Sequence, residues 1–350
     1  MPAHPASAPS AAPAPQATAR VHEPRREDCP WCGSARLRNR LRTGDLRQYK
    51  PGGFTVDACR DCGHTFQNPR LTAEGLALYH RTVRGAPEDP ASDGLLALRG
   101  SRGRHRSAAR AMRRFGEPES WLDVGTGHAR FPATAREFFP YTAFDGLDPS
   151  PRVVRARSAD RVEEAHVGRL TDPRIAAPLR DRYDVVSMLH HLEGTPDPRA
   201  ELQAALGVLR PGGHLLVETL DPRSVFAALL GRWWLAYDQP RHLHLMPPRN
   251  LRAELEAAGC TIVTVDHRSA HVPHDLSGAL ALTLSHALPA PDTPWRAIPP
   301  PAVHRHAREA LLRAGMPLVA LAALADHLVA PVARRTRFAN AYRLIARKAA

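Results

Sequence analysis

Trp121-Leu122-Asp123-Val124-Gly125-Thr126-Gly127-His128-Ala129-Arg130-Phe131 decides how this chain is read. An apolar strand carrying an acid runs into a glycine-paired turn and then a helical pattern. Such a turn brings the backbone close to a nucleotide-like ligand at the carboxyl edge of a parallel sheet. Asp123 stands beside the place a dinucleotide's pyrophosphate would take, and Arg130 occupies the position where a dinucleotide turn needs its third glycine. A carboxylate there repels phosphate and suits a cation, so the turn predicts a ligand with a charged amine and sulfonium.

Downstream, strands and helices alternate, which predicts a parallel sheet with helices on both faces. Strands are expected at 121–124, at 143–147 before Asp148-Pro149-Ser150, weakly at 165–167, and at 183–188, 214–219 and 260–265. Helices are expected at 199–209, stopped by Arg210-Pro211-Gly212-Gly213, and at 250–258, stopped by Gly259. Cys260 reads as a small buried hydrophobe. Residues of about 270–337 break the alternation with Pro-rich joints and an apolar helical run at 318–329, before a last strand at 341–346. This insertion suits a lid, a dimer surface or a membrane-surface helix, and packing on the core is the preferred expectation.

Upstream, Cys29-Pro30-Trp31-Cys32-Gly33 and Cys59-Arg60-Asp61-Cys62-Gly63 have the spacing of two zinc knuckles. Four thiolates close a tetrahedral site, so Cys29, Cys32, Cys59 and Cys62 predict structural rather than catalytic Zn2+. His64 reads as a surface histidine. The expected division is a disordered Ala/Pro/Ser tail at 1–20, a zinc-binding ribbon at 21–75, a helical linker at 76–118 and an α/β domain at 119–350. Within the linker, 84–107 reads as a loop and 108–115 as a short helix.

Of the 350 residues, 43% are hydrophobic, enough for a sizeable core, and the net charge is +13. Lys50 and Lys348 are the only lysines, so the charge reads as an arginine-rich compositional habit rather than a nucleic-acid patch. The positive field remains compatible with an anionic small-molecule acceptor. No basic start followed by an apolar core marks a secretory signal. No run is expected to be long and apolar enough to span a bilayer; 316–332 comes closest, interrupted by Asp326 and His327. A cytoplasmic, reducing location is expected, where paired cysteines hold metal.

Leu122-Asp123-Val124-Gly125-Thr126-Gly127 resembles the first motif of class I S-adenosylmethionine-dependent methyltransferases. Gly146-Leu147-Asp148-Pro149-Ser150 resembles their second strand end, Tyr183-Asp184-Val185-Val186 through Leu189-His190-His191-Leu192 the fourth, and Leu209-Arg210-Pro211-Gly212-Gly213 the approach to the fifth. Trp234 through Asp238-Gln239-Pro240-Arg241-His242-Leu243, and the zinc module ending in Asn68-Pro69-Arg70, are similar to methyltransferases of sugar and natural-product pathways. One departure is Ala129, where the family usually has a third glycine.

The resemblance implies a Rossmann-like, seven-stranded, mostly parallel sheet with its last strand antiparallel, and S-adenosylmethionine as cofactor. Asp123 would hold the ammonium of the methionine part, Gly125, Thr126 and Gly127 would let the backbone approach, and Asp148 would accept from both ribose hydroxyls. Leu189 and His190 would border the reactive end. Methyl transfer from a sulfonium is an in-line displacement, so the protein mainly aligns the partners, and a base is needed only for an acceptor proton. His242, after the Trp233-Trp234 pair in an expected substrate-facing loop, is the first candidate base and His191 the second. The expected acceptor is a sugar, nucleotide-sugar or natural-product intermediate. The alternatives are an RNA methyltransferase whose zinc module grips nucleic acid, and a non-catalytic scaffold. The absence of an aromatic-basic stacking platform weighs against the former.

Overall fold

The computed structural model describes residues 21–80 and 91–350, except 294 and 297; the expected tail at 1–20 lies outside them. The N-terminal part carries β1 (Leu37–Thr43), β2 (Phe54–Cys59), β3 (Thr65–Gln67), α1 (Ala73–His80) and α2 (Ala91–Met112). There follow β4 (Ser120–Val124), α3 (Arg130–Ala135), β5 (Ala143–Asp148), α4 (Arg152–Ser158), β6 (Ala165–Val167), α5 (Pro173–Ala176), β7 (Tyr183–Leu189), α6 (Pro198–Val208) and β8 (Leu209–Leu220). The chain closes with α7 (Val225–Leu229), β9 (His244–Leu245), α8 (Pro248–Ala257), β10 (Thr261–Asp266), α9 (Asp275–Ala287), α10 (Ala302–Ala333) and β11 (Ala341–Arg347).

Seven strands form one sheet in the order β10-β11-β8-β7-β4-β5-β6. Pairings from β6 across to β8 are parallel, and β11 runs antiparallel to both β8 and β10. The expected seven-stranded sheet with one antiparallel strand is therefore present. Its strands are apolar on both faces, as a sheet covered on both sides requires. Trp121, Phe144, Val185 and Leu216 pack with Ala108, Ala109 and Met112 of α2 on one face. Leu122, Val124, Val186 and Val217 pack with Leu202, Leu251 and Leu255 of α6 and α8 on the other. Strand order departs in opposite directions from β4 and β7, so a crevice opens at their carboxyl ends. The glycine turn follows one of these strands and His190 the other.

Three elements differ from expectation. The loop foreseen at 84–107 is helical from Ala91 onward. Its small residues Ala108 and Ala109 seat α2 on the aromatic cluster around Trp121, and tertiary packing overrides its Gly/Arg-rich composition. β8 begins at Leu209, so Pro211-Gly212-Gly213 lies within the strand, beside a register irregularity between Tyr183 and Val185. The insertion consists of α9 and α10, and α10 does not pack into the core. Only Arg308, Asp326, Ala330 and Ala333 along it are buried. By length and composition α10 is apolar enough to cross a membrane, which revises the expectation that no run is. Asp326, read as an interruption, is turned inward. It accepts hydrogen bonds from the Leu276 and Ser277 amides, both at 2.9 Å, and from Ser277 Oγ at 2.7 Å, satisfying the first turn of α9.

The cysteine-bearing N-terminal ribbon is not self-contained. A second sheet has the order β1-β2-β3-β9, so its fourth strand comes from beyond β8. Arg199 of α6 stacks over Trp31 and donates to its carbonyl at 2.7 Å, and Arg249 of α8 donates to the Asp61 carbonyl at 2.7 Å.

Candidate active site

The turn after β4 is held in a left-handed conformation, with φ of 74° at Gly125, 54° at Gly127 and 51° at Ala129. The Gly125 and Thr126 amides donate to the Leu147 carbonyl at 2.8 and 3.1 Å, tying the turn to the end of β5. The Gly127 amide donates to Asp148 Oδ2 at 2.9 Å, and the Ser150 amide to Asp148 Oδ1 at 2.8 Å. Asp148 is thus oriented over the turn by backbone donors on both sides. Ala129 occupies the conformation that its family usually gives to glycine, with its methyl buried against Ala156 and Val162.

Asp123 is buried at the floor of the crevice, where Ser187 Oγ donates to it at 2.6 Å and is itself held by Trp121 Nε1 at 2.9 Å. Burial raises its carboxyl to about 6, against the lowering effect of the Ser187 hydrogen bond. A cation placed there would restore the ionised form. Asp145, three residues before Asp148, is directed elsewhere: it accepts from Tyr183 at 2.9 Å and Arg182 at 3.2 Å.

The end of β7 brings two histidines to the same edge. His191 lies against the glycine turn, and its Nε2 is 2.9 Å from Glu201 Oε1. His190, itself at φ 54°, has Nδ1 3.0 Å from Glu193 Oε1 and Nε2 3.5 Å from Glu218 Oε1. Glu218 is the register partner of Arg343 on β11, which binds it at 2.8 and 3.0 Å, and Arg104 Nε approaches it to 3.4 Å. Burial and Arg104 push the His190 imidazole down, but the two carboxylates outweigh them and leave it raised. Burial pushes Glu218 up, and His190, Arg343 and Arg104 together hold it at about 2. Glu218 Oε1 thus faces both His190 Nε2 and Arg104 Nε at the long end of ion-pair distance, and Glu193 Oε2 is buried without a hydrogen-bond partner among the described residues.

His242 stands apart from that pair, with Nδ1 bonded to the Ala236 carbonyl at 2.8 Å. Its neighbours in the expected substrate-facing loop bond to the N-terminal ribbon. Arg241 binds Asp45 at 3.0 Å and Asp238 at 2.6 Å, Arg47 binds Asp238 at 2.7 Å, and Gln67 donates to Gln239 at 2.8 Å. Trp234 is buried and donates to Asp275 at 2.6 Å, so it is a packing residue rather than a stacking platform.

The four cysteines converge: all their Sγ atoms lie within 4.8 Å of one another, and Cys29–Cys62 and Cys32–Cys59 are each 3.6 Å apart. Tetrahedral zinc with bonds of about 2.3 Å requires sulfur separations of about 3.8 Å. The donor set fits that ion and leaves no open coordination position. His64, expected at the surface, is buried. It stacks on Trp31 and Phe66 and shares a 3.0 Å contact with His244 Nδ1, which joins β3 to β9.

Sequence reasoning missed Glu193, Glu201, Glu218, Arg343 and Arg104. The available signal was a lone acid inside apolar β8 and a lone base inside apolar β11, which neighbouring strands must pair.

Residues 101–265 match the family Methyltransf_23, described as a methyltransferase domain. Among curated proteins, the chain is similar to ubiquinone biosynthesis O-methyltransferase of Alkalilimnicola ehrlichii, 30% identical over 35% of this chain and 51% of that protein. The enzyme of the same name from Azotobacter vinelandii is 30% identical over 40% of this chain and 64% of that protein. The chain thus spans about half to two thirds of the length of these relatives. A solved S-adenosylmethionine-dependent methyltransferase from Archaeoglobus fulgidus aligns with a TM-score of 0.43 at 15% identity, over 73% of this chain and 98% of that one, a likeness too loose to bear on function. Residues 101–265, just under half of this chain, are thus similar to a methyltransferase domain.

Proposed function

We propose that the protein transfers a methyl group from S-adenosylmethionine to a small-molecule acceptor, a sugar, nucleotide-sugar or natural-product intermediate. The observation that carries this reading is the left-handed turn at Gly125–Gly127 with one carboxylate buried beneath it and a second, Asp148, bonded to its Gly127 amide. That edge offers one carboxylate for a cation and another for hydroxyls. The cofactor, when bound, supplies an electrophilic methyl on a sulfonium. Asp123 holds its ammonium, Asp148 its ribose hydroxyls, and Gly125, Thr126 and Gly127 give the backbone room to approach. Leu189 and His190 border its reactive end.

On the acceptor side, His242 is the first candidate to take up an acceptor proton and His191, packed on the turn and held by Glu201, the second. His190, with its ring nitrogens turned to Glu193 and Glu218, is held as an imidazolium that borders the site. The relatives' shared name specifies an O-methyltransferase, which supports oxygen as the methylated atom. Zinc held by Cys29, Cys32, Cys59 and Cys62 is structural, and it fixes the ribbon against which the 238–242 loop is clamped.

The test is incubation of candidate sugar, nucleotide-sugar and natural-product pools with the protein and isotopically labelled S-adenosylmethionine, followed by mass spectrometry. Gain of one labelled methyl on one species is expected. Label appearing only in RNA would favour nucleic acid as the acceptor and contradict the proposal.

A further inference from the structure

Helix α10 presents a surface that the described residues leave uncovered. Between residues 314 and 333 the sequence contains no Lys, Arg or Glu, and its one Asp, Asp326, is buried. Leu318, Leu321, Leu324, Leu328 and Val332 are each more than half exposed. At 100° per residue, the exposed apolar positions from Met316 to Val332 sweep roughly 220° of the helix circumference. The buried positions Arg308, Asp326, Ala330 and Ala333 fall together on the remaining arc, facing α9.

We infer that this face docks on an anionic lipid bilayer, with α10 lying in the plane of the interface. The width of the apolar arc selects the occupant. A second helix, from another copy of this chain or a partner, is met by a narrow seam, whereas more than half a circumference suits a continuous apolar medium. Charge is complementary to an anionic surface at the C-terminal end of the apolar run, where Arg334, Arg335 and Arg337 are exposed; Arg305 and Arg313 at the other end are paired with Asp292 and Glu309. In-plane rather than spanning placement follows from the anchors of the inner face. Asp326 bonds the first turn of α9, while Arg308 donates to the Ser285 and Pro289 carbonyls at 2.9 and 2.7 Å. A spanning helix would have to abandon both.

The arrangement also sets a cleft at the headgroup level. A cavity of about 610 Å³ opens where the C-terminal end of α10 meets α2 and the 268–273 loop, lined by Arg104, Arg268, His271, His327, Arg334 and Arg335. Its Arg104 is the residue that reaches Glu218. An amphiphile held in the bilayer would therefore meet a basic mouth whose inner wall is shared with the His190 cluster.

The experiment is flotation of the full-length protein with vesicles of phosphatidylcholine alone or mixed with phosphatidylglycerol. Binding to the mixed vesicles is expected, with a partition coefficient lowered about tenfold or more by the pair Leu321→Glu and Leu328→Glu. Thermal unfolding checks that the variant is folded, and Leu321→Gln with Leu328→Gln serves in its place if the glutamates unfold it. Wild-type protein that stays with the unbound fraction overturns the inference, as does a folded variant that floats undiminished. Sedimentation showing a dimer dissolved by the same substitutions, with no vesicle binding, would assign the face to a second copy instead. None of these readouts depends on methyl transfer.

Discussion

A side chain on Gly125 would collide with the His191 ring at Nδ1. The glycine turn and the end of β7 are thus in direct contact, and His191 is the wall against which the turn is moulded. Gly125→Ala is expected to weaken S-adenosylhomocysteine binding about tenfold or more, because left-handed strain of about 1–2 kcal/mol adds to the collision. His191→Ala in the same chain removes the collision and leaves the strain, so partial recovery is expected. Calorimetric titration of both variants, read as a double-mutant cycle, checks this; strict additivity would contradict the contact.

Cofactor affinity should depend on pH through Asp123. Its carboxyl sits at about 6 in the free protein, and an ammonium ligand requires the ionised form. Affinity is expected to be level above about pH 6.5 and to fall with decreasing pH below about 6, approaching tenfold per unit. Titrations in buffers of different ionisation enthalpy should register proton release on binding at pH 5.5 and little at pH 8.

Acid should destabilise the fold before it protonates most carboxylates. Burial lowers His105, His244, His271 and His274 to about 4 each. Between about pH 6.5 and 4 the unfolded chain binds protons that the folded chain refuses, at about 1.4 kcal/mol per histidine per pKa unit. Asp123 at about 6 and Asp275 at about 7 act in the opposite sense, since the folded state gains protons there first. Four histidines outweigh two carboxyls. The unfolding midpoint followed by circular dichroism should drop as pH falls through that window.

Removing zinc should damage acceptor turnover more than cofactor binding. The ribbon holds Asp238 and Arg241 through Arg47 and Asp45, whereas the glycine turn rests on the ends of β5 and β7. Cys59→Ser or a strong chelator is expected to strip about one zinc per chain and lower the unfolding midpoint by on the order of 10 °C. Metal analysis with paired binding and turnover assays checks this; turnover retained at the wild-type rate without metal would exclude the coupling.

The parts of this chain that could be read from sequence are those whose cause is local. Val124-Gly125-Thr126-Gly127 announces a turn because only glycine takes such backbone cheaply, and the apolar runs of β4, β7 and β8 announce buried strands. The Cys-x-x-Cys pairs announce four converging thiols because their spacing sets two sulfur-bearing turns face to face. What stayed hidden depends on partners far along the chain. Glu218 and Arg343 meet across 125 residues, and nothing near either one predicts His190 on the other oxygen of Glu218. Asp238-Gln239-Pro240-Arg241 looked like a substrate loop because it is polar and follows aromatics, yet its partners are Asp45, Arg47 and Gln67, from a segment that reads as a separate module. The inward turn of Asp326 likewise needed α9, which caps its first turn on that carboxylate.

The most direct test of the central claim is calorimetric titration of S-adenosylhomocysteine into the wild-type protein and into Asp148→Ala. One site per chain, weakened about tenfold or more by the substitution as a lost charge-assisted hydrogen-bond pair requires, is the predicted result. No binding to the wild type, or equal affinity in both proteins, would contradict the assignment of the Gly125–Gly127 edge as the cofactor site.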